Sequence, residues 1–172
     1  MASIVADEVG LPAECIAAVY LHEASRGSDL DVRSLGFEEN VANMVEGLNH
    51  IATIKPKDTR LEAENYKKLI IQYSTDPRVT VLKLADRLEI MRSLRFFPRA
   101  DRERKILETL MLYIPLAHQL GLYNMKREME DIYLKYAEPE QYRLITNKLK
   151  ATSGGRASSQ IPSRCSCRDL LS

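Results

Sequence analysis

The stretch Val79–Leu94, VTVLKLADRLEIMRSL, decides how the rest of the chain is read. Apolar side chains at Val81, Leu82, Leu84, Ala85, Leu88, Met91 and Leu94 follow the i, i+3, i+4, i+7 rhythm of a helix buried along one face. Asp86 falls inside that rhythm. A carboxylate on a core-facing helix needs a pairing cation or a metal, because desolvating a lone charge is costly. Arg87, or Lys83 with Arg92, can neutralise it from the same helix; the other reading makes Asp86 a metal ligand.

Outward from this stretch, every segment has helical character. On the N-terminal side, the Ser74-Thr75-Asp76-Pro77 turn ends an amphipathic helix expected over Leu61–Tyr73, and Pro56 breaks the segment before that. Phe37–Ile54 has Val41, Met44, Val45, Leu48 and Ile51 at helical spacing, and Arg26–Gly36 is turn chemistry. Leu11–Ser25 reads as a helix with Pro12 in its first turn and an apolar face of Ile16, Val19 and Tyr20. On the C-terminal side, Phe96-Phe97-Pro98 closes the central helix. Ala100–Gly121 then runs as one long helix, which Pro115 should kink or divide. Tyr123–Tyr136 and Glu138–Lys150 supply two more helical segments. No segment alternates with the period of a strand. The expected fold is all-α, a compact multi-helix bundle.

After Lys150 the sequence ATSGGRASSQIPSRCSCRDLLS loses all periodicity, and such a composition buries too little apolar surface to offset its chain entropy. Residues 1–150 are therefore expected to form one domain, and 151–172 a disordered or non-native tail. The net charge of +1 gives no bulk attraction to nucleic acid or anionic lipid. No apolar run approaches the ~18 residues of a membrane span. The three cysteines, Cys15, Cys165 and Cys167, match neither a disulfide framework nor a zinc spacing. A reducing, cytoplasmic setting is expected.

Several stretches carry more than periodicity. DPRVTVLKLADRLEIMRSL closely resembles the helix of RelA/SpoT-homologue alarmone enzymes that bears the second signature of their HD-type metal hydrolase domain. AENYKKLI is similar to the helix before it, VEGLNHI resembles a VEGVTK-like segment, and IVADEVGLPAECIAAVYLHEAS resembles the helix with the His-Asp pair. ETLMLYIPLAHQLGLYNMKREMEDIYLKYAEPEQYRLI is similar to the end of the same domain. The resemblance runs from about Ala2 to Leu149 in one consistent order. It implies an HD-type helical bundle and manganese-dependent removal of pyrophosphate from the 3′ position of (p)ppGpp, with a guanine nucleotide as ligand. In such chemistry the cation makes bound water a usable nucleophile and offsets phosphate charge.

Carried over residue by residue, the resemblance implies an altered site. His22 takes the place of the family's His, and Glu23 replaces the adjoining Asp, its carboxylate displaced by one methylene. Arg26 and Gly27 stand where the family has the Glu-Asp pair that activates water. Asp86 matches the later metal-binding Asp, Ile90 replaces an Asn near the nucleotide, and Ser93 replaces a Thr of the nucleotide site. His22, Glu23 and Asp86 form a vestigial metal set expected to hold no ion, and Ser93 and Asn65 are the substrate-binding candidates. The family's first metal-binding His and its guanine-gripping loop are expected to lie before Met1.

On a helix, Arg26 shares a face with His22 and Glu23. Its guanidinium can pair with Glu23 and Asp86, supplying positive charge where a metal would sit, or it can lie exposed at the helix end, favourable against the dipole. His50 reads as a surface residue and His118, in PLAHQLG, as a hydrogen-bonded structural histidine on a packing side. Arg99, Arg102, Arg104 and Lys105 read as a solvated face. The resulting expectation is a catalytically silent hydrolase domain that needs no cofactor and docks against a synthetase domain of the same full-length protein. The alternative is an active Mn²⁺-dependent (p)ppGpp 3′-pyrophosphohydrolase.

Overall fold

A computed structural model of the chain describes residues 1–25, 28, 31–53, 70–71 and 76–153. Among these residues the regular structure is helical throughout, with no strand. The bundle forms around the helix at Pro77–Arg92 (α3 below). Asp76 caps its N-terminus by accepting the Arg78 backbone N–H at 2.9 Å, and Pro77 occupies the first turn, where its missing donor costs nothing. Ser93 closes it, donating its N–H to the Glu89 and Ile90 carbonyls.

Two helices precede it, α1 at Ala13–Ser25 and α2 at Glu39–Thr53, with α3 third in order. Leu82, Leu84, Ala85, Leu88, Met91 and Leu94 are buried as their spacing predicts, and Val81 is half-buried. Thr80, Lys83 and Arg87 are buried too, so α3 is covered over more of its circumference than a one-sided stripe. The cause is its position: α1, α2, the N-terminal π-helical segment Ile4–Val9 and a later helix all pack on it.

The buried face of α1 is Cys15, Ala18, Val19 and His22. This corrects the predicted face of Ile16, Val19 and Tyr20. Ile16 is half-buried and Tyr20 is 65% exposed. The helix is turned so that Cys15 meets α2, its Sγ 3.9 Å from the Met44 Sδ, a small side chain at the contact. Gly47 has a similar role where α2 meets α3: a Cβ there would lie 3.2 Å from both Val79 methyl groups.

The predicted long helix after Pro98 is divided in three. It comprises α4 (Arg99–Glu108), a π-helical stretch Thr109–Tyr113 and α5 (Ile114–Gln119). The wide turn falls just before Pro115, with the Ile114 N–H bonded to the Thr109 carbonyl. Pro115 has no N–H to offer and its ring would crowd the carbonyl four residues back, and a π-turn relieves both. Gly121, at φ 73°, ends α5 in the left-handed conformation that a Cβ disfavours. Helices α6 (Tyr123–Ala137) and α7 (Pro139–Ser153) follow. Helix α6 packs on α3 and α5, and α7 packs on α6. Helix α7 runs past the domain end expected at Lys150. The expected tail from 154 onward and most of the helix expected over Leu61–Tyr73 lie outside the described residues.

Candidate active site between α1 and α3

Four residues of α3 and its cap, Asp86, Glu89, Ile90 and Ser93, recur at i, i+3, i+4, i+7 and form one wall of a cavity of about 710 Å³. Val19, Tyr20 and Glu23 of α1 form the facing wall, and Phe97 and Lys105 close one side. The structure therefore brings together Glu23, Asp86, Ile90 and Ser93, the residues singled out from sequence on two separate helices. Asn65, Arg26 and Gly27 lie outside the described residues, and so does the proposed Arg26 ion pair.

His22 is next to Glu23 but faces the other way, toward α2. It is 2% exposed, and its Nδ1 lies 2.8 Å from the Asn49 amide oxygen. One of the cations expected beside Asp86 does pair with it: Lys83 Nζ donates to Asp86 Oδ2 at 2.8 Å, one turn away on the same helix. The other two candidate cations go elsewhere. Arg87 donates from Nη2 to Glu108 at 3.0 Å and stacks over the Tyr113 ring at 4.1 Å, while its Nε and Nη1 are buried without an acceptor. Arg92 reaches two carboxylates at once, Glu8 at 2.7 Å and Glu128 at 2.6 Å. It ties the N-terminal segment, α3 and α6 together.

Lys105 belongs to the site although the charge run around it reads as a solvated face. Arg99 and Arg104 do lie outward, paired with Glu103 and Asp101 on their own helix. Lys105 instead turns inward, its Nζ 4.8 Å from the Phe97 ring centroid. Burial, with Arg87 nearby, pulls its ammonium below the ordinary lysine range. His118 is also corrected: it is exposed, its ring edge-on to Tyr123 at 5.7 Å, rather than packed inside. At the start of α3, burial works to raise the Asp76 carboxyl. Arg78 outweighs it through its guanidinium and backbone N–H, holding the group below the usual carboxylate range.

The sequence matches the HD domain family over residues 1–123. The chain belongs to the HD domain family. This HD domain is 41% identical over 145 residues to a guanosine-3′,5′-bis(diphosphate) 3′-pyrophosphohydrolase of Aquifex aeolicus, covering 83% of the chain and 20% of that protein. It is 36% identical over 153 residues to the bifunctional (p)ppGpp synthase/hydrolase SpoT of Escherichia coli, covering 87% of the chain and 22% of SpoT. A GTP pyrophosphokinase of Streptomyces antibioticus is 35% identical over 137 residues, 78% of the chain and 16% of that protein. The chain thus spans about a fifth of the length of these relatives. The resemblance to the RelA/SpoT family and the all-α fold both hold. Among the described residues, no helix is long and apolar enough to cross a membrane.

The resemblance implies manganese, and His22, Glu23 and Asp86 are donors of suitable chemistry for it. Their arrangement does not form a centre. Among the described residues no three His, Cys, Asp or Glu side chains converge to hold an ion, and Asp86 is engaged by Lys83. What the cavity itself offers is a mixed wall: carboxylates of Glu23, Asp86 and Glu89 facing Lys105, the hydroxyl of Ser93, and the rings of Tyr20 and Phe97.

Proposed function

We propose that this HD domain is a degenerate (p)ppGpp hydrolase domain of a RelA/SpoT-type protein, catalytically silent and regulatory. It acts by docking against a synthetase domain of the same full-length protein in the cytoplasm. The observation that carries the reading is that Ile90 and Glu23 line the same cavity as Asp86. Two of the departures from the family pattern, at positions 23 and 90, are thus neighbours of Asp86 around one cavity. An isoleucine side chain at position 90 cannot make the hydrogen bonds an amide would offer a nucleotide. Arg26 and Gly27 supply no carboxylate to activate water.

The competing reading is an active Mn²⁺-dependent 3′-pyrophosphohydrolase. It is favoured by one observation, the Glu23 and Asp86 carboxylates facing a common cavity. The regulatory half of the proposal is tested by deleting this domain from the full-length protein and measuring (p)ppGpp synthesis. A changed synthetic rate is expected, and an unchanged rate would overturn docking as the role.

A further inference from the structure

We infer that Lys105 anchors an anion site at one end of the cavity, which takes a phosphate-class oxyanion carried by a small molecule. The inference rests on reading this cavity as a degenerate ligand site, and it adds a residue that the sequence motifs leave out. Lys105 closes one side of the cavity with Phe97, next to Ser93 and Ile90 on the α3 wall. Its ammonium is half-buried and sits 4.8 Å from the Phe97 ring centroid. The charged groups around it are already paired with one another. Arg104 lies 2.9 Å from Asp101, and Arg87 lies 3.0 Å from Glu108. Among the described residues Lys105 makes no ion pair of its own.

The charges that act on Lys105 are Arg87, Glu108, Arg104 and Asp101. These four cancel as two pairs, so Lys105 is the surplus charge of the group. Arg87 adds to the imbalance, because its Nε and Nη1 are buried with no acceptor. A part-desolvated ammonium near a second cation is unfavourable until an anion joins them. The carboxylates of the cavity do not fill that role. None of Glu23, Asp86 and Glu89 is among the charges acting on Lys105, and Asp86 is held by Lys83. Along α3, Ser93 lies two turns from Asp86, about 10 Å. The wall therefore runs from an acidic end to an end with a hydroxyl donor and Lys105. An ammonium is a compact point charge suited to phosphate oxygens, and the Ser93 hydroxyl can donate to one of them. A cavity of about 710 Å³ has room for more than a lone anion, so the ligand carries an uncharged body that lies along Ile90 and Phe97.

The test is a ¹H–¹⁵N NMR titration of the full chain with inorganic pyrophosphate, at constant ionic strength and without divalent cations. Wild-type protein is expected to show saturable shifts at the Ser93, Phe97 and Lys105 amides. Lys105→Met keeps the stem against Phe97 and removes the charge, and is expected to weaken the apparent affinity about tenfold. Lys105→Arg keeps the charge and is expected to stay within a few-fold of wild type. Arg104→Met, on the outward side of the same helix, is expected to bind as wild type does. Malonate in place of pyrophosphate is expected to bind more weakly, and equal affinity would overturn the phosphate assignment. No saturable shift, or equal losses in Lys105→Met and Arg104→Met, would overturn the site itself. If Lys105→Met does not fold, the wild-type shift map and the Arg104→Met affinity still decide it. Pyrophosphate release from ppGpp would refute catalytic silence while leaving the anion site standing, so the two failures are distinguishable.

Discussion

Lys83 Nζ and Asp86 Oδ2 lie 2.8 Å apart on one turn of α3, with both side chains largely withdrawn from solvent. The pair is local, so a carboxylate that lines the cavity is compensated within its own helix. Lys83→Met keeps the aliphatic stem and removes the charge, leaving Asp86 desolvated and uncompensated. A loss of about 2 kcal/mol is expected, since breaking such a pair costs more than the pair is worth. Adding Asp86→Asn to that variant should recover most of the loss. Chemical denaturation of the single and double variants checks this, and strictly additive losses would contradict it.

Asp76 and Arg78 give the fold an acid-sensitive contact. The Asp76 carboxyl is held below the usual carboxylate range, and Arg78 reaches it from Nη2 at 2.6 Å. A depressed folded pKa means the contribution is full above the unfolded value, roughly 3.9. It is lost as pH falls through the lower folded value. Asp76→Asn retains a capping side chain but cannot ionise. Thermal melts from pH 6 downward should show a shallower acid limb for this variant than for wild type; parallel limbs would count against it.

The approach of α2 to α3 is set by Gly47 against Val79. Gly47→Ala gains about 1 kcal/mol of helix propensity, but its Cβ would meet two buried methyl groups at 3.2 Å. Overpacking of about 1–3 kcal/mol is expected to prevail. Gly47→Ala/Val79→Ala should be more stable than the sum of its single changes implies. A single variant more stable than wild type would show that the interface yields.

Much of this site is legible in the sequence because it lies along one helix. Asp86, Ile90 and Ser93 are spaced so that any helix through them shares a face, and the cavity wall follows that spacing. The division near Pro115 is equally local, a matter of one missing donor. What the sequence does not show is how helices are turned against one another. The buried face of α1 is Cys15, Ala18, Val19 and His22, which leaves Tyr20 exposed and on the cavity. Lys105 reaches the site by the same route: it reads locally as part of a solvated face, and only long-range packing turns it inward. Arg92 is similar, since its partners Glu8 and Glu128 are far away in sequence.

Catalytic silence is tested most directly by pyrophosphate release from ppGpp with added Mn²⁺. No release above the protein-free control is expected. Metal-dependent release with turnover would contradict it and restore this cavity as a working hydrolase site.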